Sequence, residues 1–200
     1  MYKFLFVLIL GLCVLSGCVL FSTHTDVNNE LIKDTRIQEV RYRDWIWRCF
    51  DPAPDLLIMI GTTLYVNQDC WDNIDPQDEW AKAMLVHEET HLIRQQQAGL
   101  MCWLWDYIFD ADFRWQEEST AYTAAWEYSM WQGRTYTMAD CRSFGEYLSN
   151  ISYLSVTKEK ATEFVISTIM LCKFKMAIYK YFNFQWSEPY VIRVFNIKGL

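Results

Sequence analysis

The stretch from residue 75 to residue 99 constrains the fold of this chain most strongly. It opens with Asp75-Pro76-Gln77-Asp78-Glu79, in which Asp75 suits the N-cap of a helix, the proline its first position and the acids its first turn. The pattern predicts a helix from about residue 80 to residue 97 that ends near Gly99. Only 7 glycines and 4 prolines occur in 200 residues, which favours further helices over a turn-rich β-sandwich.

The predicted helix carries two of the three histidines in the chain, within His87-Glu88-Glu89-Thr90-His91. Residues four apart share one face of a helix, so the two imidazoles can bind the same metal ion. Glu88 lies about 100° around the helix from His87, which suits a base acting on water better than a ligand. This HExxH motif therefore predicts a metal site with a general base beside it.

A catalytic zinc site takes three protein ligands, so a third residue is needed. The best source is Glu118-Ser119-Thr120-Ala121-Tyr122, in a second helix predicted over residues 114–131. Glu117 is adjacent to Glu118 but points about 100° away from it. Three further alternatives lie in the aromatic connector, residues 100–115: Asp106, Asp110 and Asp112. The residues alone leave these alternatives open.

The HExxH segment and the second predicted helix together resemble a known superfamily. Residues 86–96, VHEETHLIRQQ, followed by ExxAY at residues 118–122, resemble the zincins. The similarity is to small gluzincin-type metallopeptidase domains of bacteria and their phages, and it covers roughly residues 56–131. The resemblance gives a site and a reaction class but no substrate.

The resemblance implies a metallopeptidase centre with one zinc ion per chain. Its ligands would be His87, His91 and Glu118, and Glu88 would be the general base in the hydrolysis of a peptide bond. Tyr122, four residues after Glu118, would face the same cleft and hydrogen-bond a ligand or the substrate. Three tyrosines are candidates for the donor to the oxyanion, and the sequence does not choose between them: Tyr122, Tyr128 and Tyr136.

Residues 56–66, LLIMIGTTLYV, are apolar and rich in β-branched side chains. They predict one or two strands, with Gly61 as a bulge or turn. In zincins an edge strand beside the active-site helix binds an extended peptide, and residues 62–66 resemble that strand in position; an ordinary core strand is an equal alternative. The expected fold class is α+β and zincin-like: mostly helical with a small sheet, and with the HExxH helix packed beside the helix of the glutamate ligand.

The N-terminus has the pattern of a secretory signal. Lys3 precedes an apolar run over residues 4–14, and Leu15-Ser16-Gly17-Cys18 follows. These four residues resemble the lipobox of bacterial lipoproteins, in which the cysteine is lipidated. The alternative is an uncleaved helical anchor over residues 4–21, which is short for a hydrocarbon core of about 30 Å.

The lipobox predicts three segments and a location. Residues 1–17 are expected to be the signal peptide, residues 18–40 the lipidated Cys18 with a flexible polar tether, and residues 41–200 the metallopeptidase domain. The protein would then be held in the cell envelope by its lipid, facing the periplasm or the exterior, with the membrane as a partner.

Five cysteines follow the lipobox, an odd number for an oxidising compartment: Cys49, Cys70, Cys102, Cys141 and Cys172. They predict one or two disulfides and a buried free thiol. Apolar residues at helical spacing predict two more helices, over residues 139–154 and 158–182. The aromatic connector is interpreted as core and cleft wall, with a surface at the membrane interface as the alternative.

The first hypothesis for function is therefore a membrane-tethered zinc metallopeptidase that acts on a peptide or protein. A catalytically silent envelope protein with the same fold, acting through interactions, is the alternative from another class. A hydrolase of peptidoglycan peptides is the alternative with another substrate. The net charge of −7 gives no basic footprint, so nucleic acid is not an expected partner.

Overall fold

The computed structural model describes residues 22–24, 29–33, 35–43 and 57–182. The chain divides into two compact units between Ile74 and Asp75. The first unit contains a small sheet and the second contains the long helices, so the predicted α+β class, mostly helical, is confirmed. Residues 1–17, predicted to be the signal peptide, lie outside the described residues, as do Cys18 and Cys49.

The described part of the first unit holds a four-stranded sheet in the order β1-β2-β4-β3. Its strands are β1 (Ser22–His24), β2 (Glu39–Arg43), β3 (Ile58–Ile60) and β4 (Thr63–Val66). β2 runs parallel to β4, whereas β1 with β2 and β3 with β4 are antiparallel. Gly61, with a φ of +60°, stands in the turn between β3 and β4, which confirms two strands with a glycine turn.

The prediction that residues 62–66 form an edge strand is wrong. β4 pairs on both sides, with Leu64 opposite Val40 in β2 and opposite Met59 in β3. Since both sides of its backbone are already paired, β4 has no free side to which an extended peptide can add. The core-strand alternative holds, because Leu64 and Val66 are buried completely.

The predicted flexible tether over residues 18–40 is also corrected. It contains β1, a short helix α1 (Asn29–Ile32) and the start of β2, which crosses the expected domain boundary at residue 41. The alternation of Glu39, Val40 and Arg41 is a strand pattern, with Val40 buried. Val40 pairs with Leu64, 24 residues further along the chain. The polar sequence of the segment therefore gives no indication of the strand with which it pairs.

In the chain order that follows, the helices are α2 (Gln68–Asp72), α3 (Glu79–Ala98), α4 (Leu100–Phe109), α5 (Ala111–Trp131), α6 (Met138–Asn150) and α7 (Lys158–Phe182). α3 confirms the predicted HExxH helix, but its N-cap is Asp78, whose side chain accepts from the Trp80 amide. The predicted cap, Asp75, closes a turn before the helix by accepting from the Gln77 amide.

The aromatic connector has no regular apolar period in its sequence, yet it forms a helix. Most of it is a regular helix, α4, and α5 begins three residues earlier than expected because Asp110 caps it by accepting from the amides of Asp112 and Phe113. The later helices agree better: α7 has the predicted bounds, and residues 139–154 form α6 followed by a 3-10 turn at Ser152–Leu154.

The core of the second unit is built on α5. α3 and α4 pack against α5, and α7 packs against both α5 and α6. Trp126 is buried completely among the side chains of α5, α6 and α7. α6 and α7 approach so closely that a Cβ on Gly145 would lie 2.2 Å from the Thr162 hydroxyl oxygen.

The expected disulfides are absent among the described cysteines. Cys102, Cys141 and Cys172 are free thiols, with the last two buried. The two buried thiols therefore act as small apolar groups in the core instead of forming cross-links. Within the described residues, no helix is long and apolar enough to cross a membrane.

Candidate metal centre

The crossing of α3 and α5 brings together the three residues predicted as metal ligands. The Nε2 atoms of His87 and His91 lie 3.2 Å apart on one face of α3. From α5, Glu118 places Oε2 3.2 Å from Nε2 of His87 and Oε1 3.3 Å from Nε2 of His91. All three side chains are at most 6% exposed.

These distances can be tested against the geometry of a zinc site. Zinc binds imidazole nitrogen and carboxylate oxygen at about 2.0–2.2 Å, and in a tetrahedron those bond lengths place neighbouring ligand atoms about 3.3–3.6 Å apart. The two histidine nitrogens, 3.2 Å apart, lie close to that spacing, and Glu118 approaches them with two different oxygens, Oε2 toward His87 and Oε1 toward His91. The donor set of two imidazoles and one carboxylate fits a zinc ion and leaves one position of the tetrahedron for another group.

The three groups are strongly coupled electrostatically. Burial would raise the pKa of Glu118, but the two neighbouring histidines outweigh it and hold that pKa well below its usual range. Burial lowers the pKa of His87. For His91 burial acts in the same direction, but Glu118 and the carboxylate of Glu88 outweigh it and raise the pKa.

Glu117, the adjacent alternative ligand, has another role in the structure. It is completely buried, and its carboxylate accepts a bidentate pair of hydrogen bonds from the Arg94 guanidinium, one of them 2.6 Å long. The Trp103 indole nitrogen also donates to it at 2.8 Å. Glu117 therefore ties α3 and α4 to α5, and its lone pairs are directed away from the two histidines.

The connector aspartates lie elsewhere. Asp106, Asp110 and Asp112 are exposed, and Asp110 is engaged as the N-cap of α5. Asp106 lies on a solvent-exposed side of α4, and Asp110 and Asp112 lie at the exposed start of α5. Of the candidate third ligands, the structure brings Glu118 to the histidines.

The predicted base and the predicted tyrosine both lie near the centre. Glu88 is 4% exposed, and its charge raises the pKa of both His91 and Tyr107. The Tyr122 ring packs edge-on against His87 with the ring centroids 4.3 Å apart. Burial, followed by interactions that include a hydrogen bond with Tyr147, raises the pKa of Tyr122 well above its usual value.

The other two tyrosines considered as oxyanion donors have different surroundings. Tyr136 packs against Phe144 of α6, with the Arg134 guanidinium 5.3 Å from its ring centroid. The pKa of Tyr128 is raised by burial and by Glu79, which begins α3 two turns before His87. Of the three, Tyr122 is the one in contact with a histidine of the centre.

Sequence reasoning missed the contribution of α4. The Tyr107 hydroxyl donates a hydrogen bond to Glu118 Oε1. The Tyr107 ring stacks on Trp103 at 4.5 Å, and both rings pack edge-on against His91. The i, i+4 spacing of Trp103 and Tyr107 is the signal that would have placed both on one helix face.

The second nitrogen of each histidine departs from the usual pattern. In most metal sites that nitrogen donates to a carboxylate or carbonyl, which fixes the tautomer. Here Nδ1 of His87 and Nδ1 of His91 are buried, and neither has a hydrogen-bond partner among the described atoms. The rings are held instead by packing, His87 against Tyr122 and His91 against Trp103.

Comparisons with protein-family models, with curated proteins and with solved structures find no match to this chain. The interpretation of the site therefore depends on its own geometry and chemistry.

Proposed function

We propose that this protein is a zincin-like, zinc-dependent hydrolase of peptide bonds, with one zinc ion held by His87, His91 and Glu118. The observation that supports it best is the convergence of these three buried donors, with one ligand atom from each within 4.8 Å of the others. The position of Glu88, next to a proposed ligand and within electrostatic reach of His91, agrees with the role of a base.

Zinc in such a site is a Lewis acid toward water and toward the oxygen of a carbonyl. Glu88 accepts a proton from the attacking water, whose oxygen forms a bond to the carbonyl carbon. It then donates that proton to the nitrogen as the carbon–nitrogen bond breaks. Tyr122 holds the His87 ring in place, and burial keeps its hydroxyl protonated as a donor.

Two measurements on three proteins test the proposal. Zinc per chain is measured for the wild type, Glu118→Gln and Glu88→Gln, and cleavage is measured on a peptide library. We expect one zinc per wild-type chain, much weaker zinc binding in Glu118→Gln, and full zinc with cleavage reduced at least about 100-fold in Glu88→Gln. A folded wild-type protein that takes up no zinc would contradict the proposal.

Burial of the centre favours one second candidate, a zincin-like protein that binds metal without turnover and acts through interactions. His87, His91 and Glu118 are each at most 5% exposed, so a peptide has no open path to them. Full zinc occupancy with no cleavage of the peptide library or of purified peptidoglycan peptides would favour this candidate. Cleavage of the peptidoglycan peptides alone would name the substrate class.

The proposed location follows from the lipobox resemblance at residues 15–18. We propose that Cys18 is lipidated and holds the protein in the cell envelope, facing the periplasm or exterior. Fatty-acid labelling of the wild type and Cys18→Ala in bacterial cells tests this, with Cys49→Ala as the matched control. Label that persists in Cys18→Ala would contradict it.

A further inference from the structure

The helix α4 stands between the metal centre and solvent. Its inner face carries Trp103 and Tyr107, whose rings pack against His91 with centroids 5.7 and 6.3 Å away. Its outer face carries Met101 and Trp105, which are more than half exposed. α4 thus presents one face to the proposed ligands and the other to water.

Two hydrogen bonds between side chains hold α4 on α5. Tyr107 donates to Glu118, a proposed ligand, and Trp103 donates to Glu117. Because the two carboxylates are consecutive residues of α5, the two bonds break together if α4 moves away. The bond to Glu118 joins α4 directly to the centre.

The two ends of α4 differ in a way that suits movement. The C-terminal end is anchored, because the Arg114 guanidinium donates to the carbonyl oxygens of Tyr107 and Ile108 at 2.7 and 2.8 Å. The N-terminal end follows α3 after the single residue Gly99, which has a φ of +83° and nothing within 4 Å of the place where a Cβ would stand. This open glycine junction suits a hinge, and since the Arg114 anchor holds only backbone carbonyls, it leaves the Tyr107 side chain free to part from Glu118.

We propose that α4 is a movable cover over the metal centre and that the hydrogen bond from Tyr107 to Glu118 is its latch. The inference rests on the proposed function, since it concerns access to the proposed zinc site. A peptide reaches the centre only when α4 is displaced, so the fraction of molecules with α4 open limits turnover.

The rates of zinc uptake and release distinguish a movable cover from a residue that only positions a ligand. If zinc enters and leaves only through the open form, weakening the latch raises both rates by one factor and leaves the dissociation constant unchanged. If Tyr107 only orients Glu118 as a ligand, its loss raises the rate of release and weakens the affinity equally. The two rates together therefore distinguish the roles.

The test uses the full chain in detergent and zinc alone as the probe. Zinc uptake and zinc removal by a chelator are timed for the wild type, for Tyr107→Phe, which removes only the hydroxyl, and for Trp105→Phe, a control on the outer face of the same helix. We expect both rates to rise roughly 10- to 100-fold in Tyr107→Phe, the range of a hydrogen bond to a charged group, and to be unchanged in Trp105→Phe. Release that rises alone, or rates that do not change, would overturn the proposal.

Amide hydrogen exchange of the metal-free proteins supplies a second readout that needs no zinc. Tyr107→Phe is expected to speed exchange across residues 100–109 relative to residues 111–131, and Trp105→Phe is not. If the wild type binds no zinc but Tyr107→Phe still speeds exchange across residues 100–109, the proposed function is refuted and the movable cover remains supported. Exchange in Tyr107→Phe that equals the wild type would overturn the cover in either case.

Discussion

Replacement of Glu117 by glutamine separates the stabilising carboxylate from the proposed ligand next to it. Glu117 is completely buried and accepts two hydrogen bonds from Arg94 and one from Trp103. The side-chain oxygen of glutamine can still accept from one or two of these donors. The NH2 group of glutamine is itself a donor, however, and it would face the remaining N–H of the Arg94 guanidinium. Two charge-assisted hydrogen bonds are weakened or lost, each worth about 1.5–3 kcal/mol.

Part of that loss is recovered because the Arg94 side chain is 29% exposed and regains hydration when its partner is neutralised. We therefore expect Glu117→Gln to lower the free energy of unfolding by about 3 kcal/mol. For a chain of this length the change corresponds to a fall in Tm of roughly 6–12 °C. Zinc binding by the folded variant should remain at one ion per chain.

Urea unfolding of the metal-free proteins, followed by circular dichroism, measures the stability, and metal analysis measures the zinc. Glu146→Gln is the matched control, since Glu146 pairs with Lys158 at the surface and both side chains are more than half exposed. That change should cost under about 1 kcal/mol. If Glu117→Gln instead loses zinc at unchanged stability, Glu117 is a ligand and the assignment of the two carboxylates is reversed.

Three further outcomes follow from the packing. Gly145→Ala should lower the free energy of unfolding by about 1–3 kcal/mol, although alanine favours helix, because its Cβ would lie 2.5 Å from the Thr162 Cα. An equal or higher urea midpoint would refute the close approach. A thiol reagent should label the exposed Cys102 in the folded protein. It should label Cys172 only after unfolding, because burial raises the pKa of that thiol to about 12, and mass spectrometry reads both labels. Gly99→Ala should lower the Tm through about 1–3 kcal/mol of backbone strain at φ +83°, and an unchanged Tm would contradict it.

The features predicted correctly from sequence are those that depend on one helix at a time. The bounds of α7 follow from apolar spacing, and the shared face of His87 and His91 follows from the helical period. The choice of Glu118 over Glu117 came from the resemblance, because helix geometry shows only that the two residues point about 100° apart. The resemblance supplied the partner helix, and the structure brings its glutamate to the histidines.

The features that were missed depend on contacts between elements. α4 is apolar on both faces, with Trp103 buried and Trp105 exposed, so its sequence has no clear helical period. β2 has an alternating pattern over only a few residues, and the strand with which it pairs, β4, is distant in the sequence. The hydrogen bond from Tyr107 to Glu118 requires three helices to be in place, and an aromatic ring in a connector gives no sign of it.

The contrast between Glu117 and Glu118 gives a physical reason to expect metal binding at only one of them. Burial of a carboxylate is costly unless a positive charge compensates it. Glu117 meets the Arg94 guanidinium, which stays charged at any pH at which proteins fold, so folding alone supplies its counter-charge. Glu118 meets two imidazoles and a phenol, which are neutral whenever the Nε2 lone pairs are free to act as ligands. The proposed zinc ion would supply positive charge among those lone pairs, so part of the cost of burying Glu118 would be offset only on metal binding.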